Sequence, residues 1–187
     1  TEQGRPHIFF SEVMNDEDGG TVSGIDVSKI PQLPAALEDA HAQGGMIIID
    51  PSLGKKKSDD LAITAFLIYD GVPVARESVV GKFDPGQTIK ESVILASKYN
   101  IGLIAVEAVA YQESLVFWFN FIFQQMGMSG IFVGTVTTGG LSKNSRILAM
   151  FKQLLSGKLM LHPTVRSAVI HQVTQFNPLI TKNKDDV

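Results

Sequence analysis

There is no cysteine among the 187 residues. That excludes a disulfide scaffold, a zinc ribbon and a thiol nucleophile. Strong charge of either sign is also missing: 19 acids stand against 16 Lys and Arg, a net charge of −3. Bulk charge therefore announces no nucleic-acid partner, and one would need a local basic surface or a metal to offset clustered acids. No run reaches the roughly 18 apolar residues of a membrane helix. The longest, Leu115 to Phe123, is broken by Asn120 and reads as a buried amphipathic helix, so no membrane partner is expected. No internal repeat or low-complexity tract is visible, and no signal peptide is expected. The chain opens Thr1-Glu2-Gln3-Gly4 rather than with Met, and is expected to be a piece of a longer polypeptide.

What is there is one domain's worth of apolar sequence, 44% hydrophobic and 19% charged, enough for a sizeable core. Residues 1–34 differ from the rest. They contain the acidic, glycine-bearing stretch Asn15 to Gly20 and end in Pro31 and Pro34. They read as a linker or arm that leans on the domain through Ile8, Phe9, Phe10 and Ile25.

From residue 35 the pattern becomes regular. A helix over 35–43 is stopped by Gly44-Gly45. The run Met46 to Ile49 is apolar throughout, a strand buried on both faces. Strands over 61–69 and 72–80 flank the hairpin signal Asp70-Gly71. Asp84-Pro85-Gly86 breaks the chain before a helix over 87–99. A strand over 103–106, a helix over 112–126, a strand over 131–133 and a helix over 142–155 follow. The extended piece 159–161 and a helix over 164–176 close the series. A three-strand meander followed by alternating helices and strands predicts a mixed α/β sheet of five strands or slightly more, with helices on both faces.

Two strand ends carry an acid directly after the apolar run: Asp50 after Met46–Ile49, and Glu107 after Leu103–Val106. Ligands of open α/β sheets gather at these carboxyl ends. Paired carboxylates repel one another and favour a divalent cation. Asp185-Asp186 forms a third acidic station, and Asp59-Asp60 opens the second strand. A set of oxygen donors suits Mg²⁺ or Mn²⁺ rather than zinc. A single acid after a strand is as often a plain turn residue; two such acids with a terminal pair shift the balance toward a metal site.

Other chemistries fail on spacing. Ile49 to Lys56 follows a strand but is no Walker A loop, since Ile49 and Lys56 stand where Gly and Ser or Thr are needed. His7, His41, His162 and His171 form no HExxH motif, and no nucleophile elbow is present. Positive charge is local: Lys55-Lys56-Lys57 after Asp50, and Lys143 and Arg146 at the start of a helix. Such clusters could meet a phosphate backbone beside an acidic pocket.

Four stretches, in this order, resemble the C-terminal nuclease domain of the large terminase subunit of tailed bacteriophages, a ribonuclease H-like fold. They are IIIDPSLGKKKSDDLAIT at 47–64, IGLIAVEAVAYQESL at 101–115, SKNSRILAMFKQLLSGKLML at 142–161 and QFNPLITKNKDDV at 175–187. FFSEVMND at 9–16 is similar to the segment joining that family's ATPase domain to its nuclease. The resemblance implies a nuclease domain over 35–187, preceded by an arm from an ATPase domain. The family's last motif usually runs on to a further aspartate, so the resemblance implies a C-terminus cut short.

It implies Asp50, Glu107 and Asp185 or Asp186 as catalytic metal ligands, with Asp59, or else Asp60, as an accessory acid. One or two Mg²⁺ or Mn²⁺ ions and two-metal phosphodiester hydrolysis are implied, with Lys55, Lys56, Lys57, Lys143 and Arg146 on the DNA. The implied function is endonucleolytic cutting of double-stranded DNA during viral genome packaging, in the cytoplasm of a bacterial host. The implied partners are the ATPase domain, the small terminase subunit and the portal or procapsid. Two alternatives stay open: a non-catalytic DNA-binding or assembly module on the same fold, and an actin-like or sugar-kinase phosphotransferase lobe.

Overall fold

The computed structural model describes residues 26–38, 40–50, 60–107, 112–137 and 142–176. A 3-10 turn at Val27–Lys29 is followed by α1 (Ala35–Glu38), β1 (Gly44–Asp50), β2 (Leu61–Tyr69) and β3 (Val72–Gly81). Then come α2 (Pro85–Tyr99), β4 (Leu103–Glu107), α3 (Gln112–Gln125), β5 (Phe132–Val136), α4 (Lys143–Leu155), β6 (Met160–Leu161) and α5 (Pro163–Gln175). The strands form one six-stranded sheet in the order β5-β4-β1-β2-β3-β6. β1, β2 and β3 form the antiparallel meander, while β4 runs parallel to β1, β5 parallel to β4 and β6 parallel to β3. The mixed sheet expected from the sequence is present, with the piece at 160–161 as its sixth strand.

Side-chain alternation along the strands builds two cores. Ile47, Ile49, Ile63, Ala65, Leu67, Ile104 and Val106 lie on one face, packed with Ile89 and Leu95 of α2 and Leu115, Phe119 and Phe123 of α3. Ala75 of β3 and Leu161 of β6 join Phe151 and Leu154 of α4, Val165 and Val173 of α5, and Ile30 in the second cluster. Helices thus cover both faces. Ile30 and Leu33, read as part of the arm, are buried in these cores, and Arg166 of α5 donates to the carbonyls of Ile30 and Pro31, each at 2.8 Å.

Several local expectations change. The first helix is a single turn, and Gly44-Gly45 belongs to β1 rather than stopping a helix. Gly45 is there because a Cβ would lie 2.7 Å from the Phe66 carbonyl oxygen of the neighbouring strand. Asp84 and Pro85 do not merely break the chain; they start α2. Asp84 is the N-cap, Pro85 sits in the first turn, and Asp84 and Gln87 exchange hydrogen bonds in a capping box. Asp70 and Gly71 both adopt positive φ, 49° and 77°, as a type I′ hairpin requires. α3 is not wholly buried. Phe117 stacks on Phe121, both meet Trp118 edge to face, and all three are exposed.

Candidate metal centre

Asp50 and Glu107 are the last residues of β1 and β4. These strands are parallel neighbours, and Ile49 lies opposite Val106. The next position on each strand therefore brings Asp50 beside Glu107, at the strand spacing of about 4.8 Å. Ile47, Ile49, Ile104 and Val106 are fully buried in the core under α2 and α3. Alternation then turns both acids to the opposite face of the sheet. Asp50 is exposed, while the Glu107 side chain keeps only 16% of its accessible surface.

α4 approaches on that same face. Ser142 caps it by accepting from the Ser145 N–H at 3.2 Å, and buried Phe151 and Leu154 anchor its later turns. With the helix so fixed, Arg146 donates from Nη1 to Glu107 Oε1 at 2.8 Å. Its Nε is buried and has no hydrogen-bond partner among the described residues. The resemblance implies a place for Arg146 on the DNA. The structure places it against an acid of the site, a pairing across 39 residues that no local pattern announces.

Asp60 lies immediately before β2, two residues ahead of Ala62, which pairs with Asp50. Lys143 is the first residue of α4. Lys55, Lys56, Lys57, Asp59, Asp185 and Asp186 lie outside the described residues. Among the described residues, no group of three or more His, Cys, Asp or Glu is placed to hold a metal ion.

No protein-family model matches the sequence, and no curated protein sequence matches it. Solved structures do match the fold. The human cytomegalovirus terminase nuclease domain superposes with a TM-score of 0.60 at 11% identity, over 87% of this chain and 89% of that one. The fold is that of the terminase nuclease domains. The P22 large terminase nuclease domain gives a TM-score of 0.54 at 14% identity, over 82% of this chain and 77% of that one. The large terminase of a thermophilic bacteriophage gives 0.55 at 11% identity, over 82% of this chain. There the chain spans 36% of the longer protein. The cytomegalovirus domain has also been solved after a manganese soak, with a TM-score of 0.54 at 11% identity.

The donor chemistry of the described site is compatible with a hard divalent ion. Asp50 and Glu107 offer oxygen donors only, at the carboxyl ends of adjacent parallel strands. A cationic group, the Arg146 guanidinium, already lies against one of them.

A second polar cluster lies elsewhere, around β3. The register between β2 and β3 shifts so that Ala65 faces Glu77 and Phe66 faces Ala75, leaving Arg76 as the extra residue of a bulge. Arg76 lies over the Tyr99 ring and meets His162 Nε2. Arginine only donates, so Nε2 accepts from it. Nδ1 accepts from the Thr164 N–H at 3.2 Å and lies 2.8 Å from Thr164 Oγ1, which itself donates to the Arg76 carbonyl. Burial, and then the Arg76 cation, push the His162 pKa below the ordinary value, outweighing the opposite pull of Glu38 and Glu77. Burial pushes the Glu77 carboxyl up, but the hydrogen bonds from Lys98 and Tyr99 outweigh it and leave the pKa lowered. These groups tie α2 and α5 to the sheet.

Proposed function

We propose that the chain is a metal-dependent endonuclease domain that cuts double-stranded DNA during viral genome packaging. The observation that carries this reading is the placement of Asp50 beside Glu107 at the ends of parallel strands, within a fold shared with terminase nuclease domains.

In this reading Asp50 and Glu107 hold one or two Mg²⁺ or Mn²⁺ ions, together with Asp185 or Asp186. Asp59 or Asp60 is an accessory acid. When bound, such an ion supplies Lewis-acid stabilisation of charge developing on phosphate oxygens. The protein's own part is positional. The buried β1 and β4 residues fix the direction of the two carboxylates. Lys55, Lys56, Lys57 and Lys143 would contact phosphates, which set position on the duplex without reading sequence. The match to a thermophilic bacteriophage's large terminase, of which this chain spans 36%, supports a role beside an ATPase domain. The small terminase subunit, the portal and the bacterial cytoplasm complete the proposed setting.

The test is plasmid cleavage with Mg²⁺ or Mn²⁺, alongside EDTA and Asp50→Ala controls. Cutting that both controls abolish supports the reading. Cutting that survives Asp50→Ala refutes the site, and no cutting by the wild-type chain favours the assembly-module alternative.

A further inference from the structure

From the Arg146–Glu107 contact we infer that Arg146 is an internal counter-ion of the acid pair, which a divalent cation must displace from Glu107 in order to bind. The inference rests on the metal-binding reading above and adds a residue that opposes the ion rather than holding it.

Three observations lead there. Arg146 Nη1 donates to Glu107 Oε1 at 2.8 Å, so the guanidinium occupies one of the oxygens a metal would use. Among the described residues the buried Arg146 Nε has no partner, and an unpaired buried donor counts against a pose. The Glu107 side chain is largely buried while that of Arg146 is 40% accessible. The acid is therefore the fixed member of the pair and the arginine the one with room to leave.

Charge arithmetic gives the direction. Two adjacent carboxylates carry −2 and attract a divalent ion. Arg146 offsets the charge of Glu107 and would repel the incoming cation at short range. Losing a charge-assisted hydrogen bond also counts against metal binding. An arginine that merely held Glu107 in shape would act in the opposite sense, since its removal would loosen a ligand. The sign of the effect on metal affinity separates the two roles. Once displaced, the guanidinium has five donors available for a phosphate of the substrate, which suits its planar fork.

The experiment is calorimetric titration of the full chain with Mn²⁺, for wild type, Arg146→Ala, Arg146→Lys and Glu107→Gln, with circular dichroism to confirm folding. Arg146→Ala is expected to bind Mn²⁺ roughly tenfold tighter, the scale of one charge-assisted hydrogen bond. Arg146→Lys, which keeps the charge, is expected to stay near wild type. Unchanged or weaker binding by folded Arg146→Ala overturns the inference. If wild type then still binds and Glu107→Gln does not, the metal-site reading survives that failure. Absence of binding in both wild type and Arg146→Ala overturns the two together. Should Arg146→Ala not fold, Arg146→Met, which keeps the aliphatic stem, replaces it under the same criteria.

Discussion

Ile49 of β1 pairs with Val106 of β4, two fully buried residues on parallel strands. This single register sets Asp50 against Glu107. Slipping either strand by one residue would turn its acid toward the core packed against α2 and α3. The burial that stabilises the sheet therefore also aims the carboxylates, and perturbations of the sheet become perturbations of the site.

Gly45 is the first place where this shows. Gly45→Ala would bring a Cβ within 2.7 Å of the Phe66 carbonyl and 2.9 Å of Leu67 Cδ2. Part of that contact is backbone and cannot swing aside. A loss of about 1–3 kcal/mol is expected, the range for an overpacked site. Gly44→Ala meets nothing within 4 Å and should change stability by less than about 1 kcal/mol. Urea denaturation of the two variants beside wild type checks the contrast.

His162 predicts a pH dependence. Its pKa is lowered in the folded protein by burial and by Arg76, so the unfolded chain takes up the proton first. Stability is then retained above the ordinary histidine value of about 6.5 and lost as pH falls below it. Urea midpoints at pH 7.5 and 5.5 should differ for wild type, and the difference should shrink in His162→Gln. Glu77, with its carboxyl pKa also lowered, adds its loss only at lower pH, beneath the ordinary carboxylate range.

The start of α2 tests the capping box. Asp84→Ala removes the acceptor of the Gln87 N–H, now at 2.8 Å, and should cost about 1 kcal/mol. Its place at the head of a helix on the other face of the sheet from Arg146 predicts unchanged Mn²⁺ affinity. Thermal denaturation and Mn²⁺ titration of that variant check both halves.

Much of this fold is legible in the sequence because its strands are apolar runs ended by polar residues. The strand over 61–69 is read to its bounds, and 103–106 differs from β4 by one residue, Glu107 itself. What is not legible depends on contacts distant in the chain. Gly45 reads as a helix stop until Phe66 is known to lie across from it. Met160–Leu161 becomes a strand only by pairing with Val74 and Ala75. Pro85 reads as a break because proline ends helices as well as beginning them. At the site, the acids Asp50 and Glu107 are legible from their place after apolar runs. The turn of Arg146 toward Glu107 is not, because it depends on how α4 crosses the sheet. The terminal acids Asp185 and Asp186 lie outside the described residues.

The central claim is that Asp50 and Glu107 serve one metal site, and a double-mutant cycle on Mn²⁺ affinity tests it most directly. Asp50→Asn and Glu107→Gln keep shape and remove charge. Each is expected to weaken Mn²⁺ binding by tenfold or more, and the double variant to fall short of the product of the single losses, since shared ligands couple. Wild-type affinity in both single variants would contradict the claim.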